Sequence, residues 1–414
     1  MIISDNRSLE SLTVNNSEDK SVSVMTHSSV QQGVMQDSYE QKMFPSQTIA
    51  LSFIGTIANI LVNILGPFAQ VLLSVIKART LLISAVLCCV AGLEFASLST
   101  KIWHLYLTQG ALYGVGAAII FYVTTSQVPQ WFTKHRGTAL GISSCGPSIG
   151  GLVMPFIMTS MNEQLGIQRC YRIMGWISLF VGLPTCLLFK VRRPTNASSE
   201  PSHDQEDVPP MKLKDVVEWS VLKDFNFIIW CMSDILMESA FNIPYFFLPS
   251  HATYLGLTSY QGSALICVAS GLNSVGRILG GLAADRFGHM NTIIFGSLLA
   301  GVSSLTIWTL SHDFAMLMAY SSIFGFFGGA FISLAPSVTA TITGMEKFES
   351  GFSLFLVVTV ISMFGPNIAG AIEESVQTPP FFSYSILTGA AYILGVLLVV
   401  YLKLRLQPRL RAKI

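Results

Sequence analysis

Eleven apolar runs, each long enough to cross a lipid bilayer, constrain the fold of this chain more than any other feature. They cover approximately 47–75, 80–99, 103–126, 137–159, 171–190, 225–248, 259–284, 291–310, 314–338, 351–372 and 382–403. A membrane-spanning helix needs about 20 consecutive, predominantly apolar residues, and backbone inside a bilayer satisfies its own hydrogen bonds by forming helices. The pattern therefore predicts an all-α polytopic protein surrounded by the lipid bilayer.

The composition excludes several other classes of protein. Charged residues make up 11% of the chain, against about 25% in a soluble domain. The net charge is +1 without a basic patch, which gives no indication of nucleic-acid binding. The seven cysteines show no Cys-x-x-Cys spacing, so neither a metal site nor a disulfide framework is expected. Because nucleotide-binding loops and hydrolase or zinc-protease motifs are also missing from the sequence, we expect no enzyme, no ATP-driven pump and no cofactor.

Polar stretches divide the chain into five regions. They predict a disordered polar N-terminal tail over 1–45 and a bundle of five spans over 46–190. A cytoplasmic linker over 191–223, a bundle of six spans over 224–403 and a basic cytoplasmic tail over 404–414 are expected to follow. The N-terminal tail carries Asn-x-Ser sequons at Asn6 and Asn15. These sequons predict glycosylation if the tail faces the lumen.

The distribution of basic residues predicts the orientation. When the loops are assigned to alternate sides, 17 Lys and Arg residues fall on one side and three, Lys101, Arg169 and Arg172, fall on the other. Loops rich in Lys and Arg stay in the cytoplasm. The loops after the runs 103–126 and 259–284, together with the C-terminal tail, are therefore expected on the cytoplasmic side.

An odd number of spans conflicts with the layout in two halves around a linker. Such a layout implies a repeat of six helices, and the second half supplies six while the first supplies five. Residues 33–40 resemble the end of a helix and the loop that follows it. We therefore expect that the first of twelve helices is missing from this chain through a gene-model error, splicing or deletion.

A glycine-rich segment from Asn273 to Gly288 carries the first family resemblance. Its final part, Gly281-x-x-x-Asp285-Arg286-x-Gly288, resembles the cytoplasmic loop signature of the major facilitator superfamily of transporters. Small residues on such a helix allow close approach of its neighbours. The resemblance implies two helical bundles that move around a central site, with the signature residues controlling the gate.

A second set of motifs resembles the monocarboxylate transporter family. Residues 130–141 match its aromatic-Phe-x-Lys-x-Arg-x-x-Ala-x-Gly stretch through Trp131, Lys134 and Arg136, which the resemblance also places at the gate. Residues 103–110 and 248–256 look like the fungal branch of that family, and 365–370 resembles its eleventh helix. Together the similarities cover about 46–403. They imply a secondary transporter of an organic anion or a small amphipathic metabolite.

Two departures from the family pattern affect the expected substrate. Animal members pair the arginine of the eighth helix with an aspartate one turn earlier, but here Arg277 follows Asn273. The stretch from Gly146 to Gly151 resembles the Gly-Pro-x-x-Gly-Gly signature of drug antiporters. Both departures favour efflux of a fungal secondary metabolite. A proton-coupled monocarboxylate uptake permease, and a non-transporting sensor or inactive truncated transporter, are the alternatives.

Four ionisable residues lie at membrane depth, where such groups are costly and default to functional candidates. Asp234 and Glu238 are four residues apart and share a helix face. In a low dielectric both cannot ionise easily, so this pair, and secondarily Glu94, are candidates for proton coupling. Arg277 offers a bidentate fork to a carboxylate, so we expect it to bind the substrate together with Asn273. A solvated position for Asp234 at the helix end, and a structural ion pair or packing role for Arg277, are the alternatives.

The sequence carries little information about the membrane in which the protein resides. We expect the plasma membrane, with the vacuolar membrane as the alternative. His104 and His251 lie at predicted helix ends, and we expect both at the membrane interface.

Overall fold

The computed structural model describes residues 48–132, 135–189, 217–376 and 379–407, and within these ranges the regular structure is helical throughout. The first half contains α1 (Thr48–Ile64), α2 (Gly66–Val75), α3 (Ala78–Ala96), α4 (Ile102–Trp131), α5 (Arg136–Leu165) and α6 (Ile167–Leu188). The second half contains α7 (Phe225–Tyr254), α8 (Ser259–Phe287), α9 (His289–Trp308), α10 (Phe314–Thr343), α11 (Phe348–Ser375) and α12 (Phe382–Leu406).

Each predicted apolar run coincides with one helix or, for the first run, with the pair α1 and α2, which meet at a bend of 52°. The predicted all-helical polytopic fold is therefore confirmed. Among the described residues, eight helices are long and apolar enough to cross a membrane, or nine if the bent pair is one span. The helices α5 and α7 are also long, but they are not among the helices in this count.

Several predicted regions lie outside the described residues. These are the N-terminal tail over 1–45 with Asn6 and Asn15, the hypothesised remnant of a first helix, most of the linker over 191–223, and most of the C-terminal tail. The described end of the linker forms a short 3-10 helix, Trp219–Lys223, before α7 begins.

Helix starts in the second half follow from residues that cap backbone N–H groups. The Asp224 carboxylate accepts a hydrogen bond from the Asn226 N–H at the start of α7. Thr258 and Gln261 form a reciprocal capping box at the start of α8. The Asp313 carboxylate accepts a hydrogen bond from the Met316 N–H at the start of α10. These short sequence signals therefore determine where three of the spans begin.

Four of the described spans contain local departures from α-helical geometry, and in α10 the departure is a break at Gly329 between Phe314–Gly328 and Ala330–Thr343. The middle of α4 is π-helical over Tyr106–Leu112, and α9 ends in a π-helical turn over Ser304–Trp308. The helix α11 contains a 3-10 segment over Val360–Phe364, just before Gly365 and Pro366. Such segments frequently occur at hinges and functional positions.

Glycines bring helices of the two halves into backbone contact. A Cβ on Gly281 of α8 would lie 2.3 Å from the Gly137 carbonyl oxygen of α5. One turn further along, a Cβ on Gly141 would lie 2.4 Å from the Arg277 carbonyl oxygen. A larger residue at either position would clash, so these glycines allow α5 and α8 to pack closely across the two halves.

Candidate functional site

A cavity of about 110 Å³ lies between the two halves of the protein. Its wall includes Asn63, Phe121, Thr125, Leu140, Ser143 and Ser144 from the first half, and Asp234, Glu238, Arg277, Phe331, Ile332, Ser333, Ala335, Pro336, Phe352, Phe355, Leu356 and Thr359 from the second. The lining is mostly apolar, with a few polar and charged groups, as is usual for small-molecule sites. Three of the four ionisable residues singled out in the sequence therefore line one cavity.

Arg277 lies 8% exposed on α8, and neutral oxygen atoms hold its guanidinium group. Its Nε atom donates to Asn273 Oδ1 at 2.7 Å, and its Nη1 atom donates to the backbone oxygen of Ser144 at 2.8 Å. No carboxylate oxygen of Asp234, Glu238 or Glu94 lies within 4.0 Å of the guanidinium, so Arg277 does not form the structural ion pair that was one alternative for it. The Nη2 atom makes no hydrogen bond to the described residues. Arg277 therefore retains hydrogen-bond donors in the cavity wall.

Asn273 holds Arg277 in place and does not itself line the cavity. Its Oδ1 atom accepts hydrogen bonds from Arg277 and from Ser148 Oγ, the latter at 3.0 Å, while its Nδ2 atom donates to the Gly325 carbonyl oxygen at 3.0 Å. The side chain is also closely packed, since a Cβ on Gly329 would lie 2.1 Å from Nδ2. The structure thus separates the two residues that the sequence grouped as substrate ligands.

Asp234 and Glu238 lie on the same face of α7, as their spacing predicts, and both line the cavity. Asp234 is 3% exposed and makes no hydrogen bond to the described residues, so it is not a solvated residue at a helix end. Glu238 Oε2 accepts a hydrogen bond of 2.6 Å from Ser362 Oγ, in the 3-10 segment of α11. No described Lys, Arg or His nitrogen lies within 4.0 Å of either carboxylate.

Glu94 lies away from this cavity. Its side chain packs between α3 and α6, where a Cβ on Gly175 would lie 2.8 Å from its Oε1 atom. That oxygen is buried without a hydrogen-bond partner among the described residues. The structure therefore does not bring Glu94 together with Asp234 and Glu238.

The signature residues lie at the end of the α5–α8 contact that the distribution of basic residues predicts to face the cytoplasm. Asp285 accepts hydrogen bonds from the N–H groups of Gly137 and Thr138 at 2.7 and 2.8 Å, and from Thr138 Oγ1 at 2.5 Å. Gly288 ends α8 with φ of +100°, a conformation that favours glycine. Arg286 is exposed and lies over the ring of Phe287. Asp285 therefore caps the first turn of a helix in the opposite half.

Arg136 and Lys134, the basic residues of the neighbouring loop, differ in what can be described. Arg136 donates hydrogen bonds to the Phe132 carbonyl oxygen and to Met345 Sδ of the other half. Lys134 lies outside the described residues.

A second contact joins the two halves between α2 and α11. Gln70 Nε2 donates to Ser350 Oγ at 3.1 Å, and Gln70 Oε1 accepts from Ser353 Oγ at 2.7 Å. Nearby, Tyr122 and Gln130 of α4 donate hydrogen bonds to the backbone and the side chain of Glu349. We call the α5–α8 and α2–α11 contacts together the cytoplasmic seam. The name follows from the distribution of basic residues, which predicts that this end of the protein faces the cytoplasm.

Comparison with known sequences gives the family. The sequence profile of the Major Facilitator Superfamily matches residues 30–313, more than half of the chain. The chain belongs to the Major Facilitator Superfamily. This facilitator is therefore a multi-pass integral membrane transporter, and members of the family are transporters and not enzymes.

Fungal transporters are among the relatives of this facilitator. MFS transporter asaE of Aspergillus flavus is 29% identical over 372 residues, covering 87% of this chain and 81% of the relative. The fujikurins efflux protein of Gibberella fujikuroi is 26% identical over 338 residues, covering 80% and 70%. An uncharacterized transporter of Saccharomyces cerevisiae, ESBP6, is 29% identical over 354 residues, covering 82% and 51%.

Solved structures share the fold of this facilitator. The transporter FucP in an outward conformation superposes with a TM-score of 0.69 at 12% identity, covering 93% of this chain and 97% of that one. The similarity establishes the two-bundle fold.

The sequence did not indicate Ser144, Ser148, Gln70 or Ser362 as functional residues. Small polar residues are common in membrane helices, where they hydrogen-bond across helix contacts. Their significance here comes from the partner helix, which a pattern within one helix does not reveal.

Proposed function

We propose that this facilitator moves an organic anion or a small amphipathic metabolite by alternating access, with Arg277 as the anchor for its negative charge. One observation carries the proposal. Arg277 lines a cavity shared by both halves, has no carboxylate partner within 4.0 Å, and keeps guanidinium donors unused. A buried, unpaired guanidinium is costly, and binding of a carboxylate would offset that cost with charge-assisted hydrogen bonds.

The walls of the cavity favour an amphipathic substrate. Phe331, Phe352 and Phe355 supply aromatic surface, while Asn63, Thr125 and Ser143 supply hydrogen-bonding groups. A substrate with a carboxylate and an apolar body would satisfy both parts of this lining. The fungal monocarboxylate permease resemblance supports the carboxylate.

Efflux is the direction that we propose. The supporting observations are the similarity to a relative named as an efflux protein and the exporter-like stretch from Gly146 to Gly151. We place the protein in the plasma membrane, from which a product can leave the cell. Imaging of a tagged protein at the vacuolar membrane would contradict this location.

Proton-coupled uptake is the second candidate, because Asp234 and Glu238 face the same cavity as Arg277. A carboxylate without a cation partner is suited to take up and release a proton as the cavity changes sides. The direction of flux under an imposed pH gradient separates the two candidates. A non-transporting sensor would show no flux under either gradient.

The deciding experiment compares wild type with Arg277→Lys in proteoliposomes, with radiolabelled benzoate, pyruvate and longer aromatic carboxylates as probes. Lysine keeps the charge but loses the planar fork. We expect the transport rate to fall about tenfold or more, as for the loss of roughly 1.5–3 kcal/mol from a hydrogen bond to a charged group. Arg172→Lys is the matched control, because Arg172 donates to Ser97 outside the cavity. Full transport by Arg277→Lys would indicate that Arg277 serves in packing.

A further inference from the structure

We propose that Arg277 is also the latch of the α5–α8 part of the cytoplasmic seam, meaning that its hydrogen bonds hold these two helices together. Asn273 positions Arg277 in this role, and an anion bound to Arg277 releases the latch. The identity of the releasing ligand rests on the proposed function. The latch itself rests on hydrogen bonds that cross between the halves.

Two hydrogen bonds cross between the halves here, and the Asn273 side chain supports both of them. Arg277 Nη1, in the second half, donates to the Ser144 carbonyl oxygen in the first half at 2.8 Å. Ser148 Oγ, also in the first half, donates to Asn273 Oδ1 at 3.0 Å. The same Oδ1 atom accepts from Arg277 Nε at 2.7 Å, so both crossing bonds depend on Asn273. All four residues are half-buried or buried in the α5–α8 contact.

The anchoring of Asn273 makes the arrangement rigid. Its Nδ2 atom donates a hydrogen bond to the Gly325 carbonyl oxygen of α10. The Asn273 side chain also packs so closely against Gly329 that a Cβ at position 329 would clash with it. Asn273 is therefore held within the second half, and it presents Oδ1 to both Arg277 and Ser148. An amide oxygen has two lone pairs, so the two bonds use the full acceptor capacity of this atom.

A carboxylate that binds end-on to the guanidinium fork bridges Nη2, which makes no hydrogen bond to the described residues, and Nη1, so it competes with the bond to Ser144 and not with the other two. The bond from Arg277 Nη1 goes to a neutral backbone carbonyl, whereas a bond to a carboxylate is charge-assisted and roughly twice as strong. Ser144 lies within α5, whose carbonyl groups also have partners in the helix itself. Loss of the Arg277 bond therefore leaves the Ser144 carbonyl satisfied. We conclude that substrate binding removes a crossing bond at little cost and favours opening of the seam towards the cytoplasm.

Cys145 provides a native reporter for this opening. It follows Ser144 in α5, is 7% exposed and is not part of a disulfide bond. Cys88 of α3, a free and partly exposed thiol away from the α5–α8 contact, serves as the internal reference. The full-length protein in liposomes is treated with N-ethylmaleimide, and modification of each cysteine is measured by peptide mass spectrometry.

The first arm contains no anion and compares Ser148→Ala and Asn273→Ala with wild type. Each variant removes a crossing bond or its support, so Cys145 labelling should rise about three- to tenfold relative to Cys88, the ratio expected for one hydrogen bond. Ser274→Ala is the matched control, because Ser274 Oγ donates to the Ser270 carbonyl of its own helix. Labelling at the wild-type ratio in both Ser148→Ala and Asn273→Ala would overturn the latch. A rise in Cys88 labelling identifies an unfolded variant. If Asn273→Ala is unfolded by this measure, the Cys145 labelling of Ser148→Ala, which is the smaller change, decides whether the latch exists.

The second arm adds benzoate, a carboxylate with an aromatic body, to wild type and to Arg277→Lys. Benzoate should raise Cys145 labelling in wild type and leave it unchanged in Arg277→Lys. If benzoate leaves Cys145 labelling of wild type unchanged, release by the anion is overturned. A rise in Cys145 labelling of Ser148→Ala without benzoate would still support the latch. If Arg277→Lys transports like wild type, the proposed function fails independently of the first arm.

Discussion

Asp285 caps the helix that begins beside Gly137, although the two residues belong to opposite halves of the transporter. The Asp285 carboxylate accepts the Gly137 N–H at 2.7 Å, and the residue before that helix turn, His135, supplies no side-chain cap of its own. A helix N-terminus carries a partial positive charge that a carboxylate stabilises. Asp285 therefore holds the two halves together by capping the N-terminus of α5, and the stability of this contact depends on the negative charge of Asp285.

Asp285→Asn should weaken the closed cytoplasmic seam. The amide keeps the shape of the carboxylate but loses its charge and one acceptor, at a cost of about 1–2 kcal/mol. We expect N-ethylmaleimide labelling of Cys145 to rise without substrate. Asp313→Asn is the control, because Asp313 caps α10 within its own half. If Asp313→Asn raises Cys145 labelling as much as Asp285→Asn does, the cap has no special role in the seam.

Gly281→Ala should prevent full closure of the α5–α8 contact, because the new Cβ would lie 2.3 Å from the Gly137 carbonyl oxygen. Gly280→Ala is a neighbouring control, since its Cβ would meet Ala330 at an ordinary 3.5 Å. We expect Gly281→Ala to destabilise the closed state by about 1–3 kcal/mol, as overpacking does, and to slow transport. Equal transport rates for the two variants in proteoliposomes would contradict this account.

Asp234→Asn combined with Glu238→Gln should abolish anion flux driven by a pH gradient. Neither side chain can then carry a proton, whereas the cavity keeps its shape and Glu238→Gln can still meet Ser362. Exchange of labelled for unlabelled anion should persist in the double variant, which shows that the protein is folded. Glu94→Gln should leave both kinds of flux unchanged, because Glu94 packs against Gly175 away from the cavity. Unchanged pH-driven flux in the double variant would exclude these carboxylates from coupling.

Gln70→Leu should loosen the α2–α11 part of the seam. The substitution removes hydrogen bonds with Ser350 and Ser353 at a position that is 4% exposed, and unsatisfied buried groups cost about 1–3 kcal/mol each. Gln109→Leu is the control, because Gln109 accepts from Tyr171 within the first half. Both variants should lower the thermal unfolding temperature. Only Gln70→Leu should speed proteolysis from the cytoplasmic side. Equal rates of proteolysis for Gln70→Leu and Gln109→Leu would argue against a role of Gln70 in closure of the seam.

The positions of the helices could be predicted from the sequence because each span carries its own apolar run. Arg277, Asp234 and Glu238 could be singled out for a related reason, since a charge at membrane depth is costly and therefore informative. The spacing of four also placed Asp234 and Glu238 on one face. Each of these predictions depends on residues close together in the chain.

Contacts between distant helices could not be predicted in this way. Nothing within α8 indicates that Asp285 caps α5, and nothing within α3 indicates that Glu94 packs against α6 instead of facing the cavity. His251, expected at the interface, is 6% exposed and accepts a hydrogen bond from Trp308 at 3.0 Å. These outcomes depend on the arrangement of whole helices, to which the single-helix pattern is insensitive.

The polar residues that line the cavity have a consequence for how the protein is made. Serines of α5 and carboxylates of α7 lie in the cavity wall, and such groups are costly for a helix that is surrounded by lipid alone. α7 packs closely along α12, with Gly395 lying against Met237. We therefore expect α7 to integrate stably only after α12 has been synthesised, and truncation before α12 should leave α7 exposed to quality-control proteases. On this expectation, the polar residues of the cavity also influence the order in which the helices assemble.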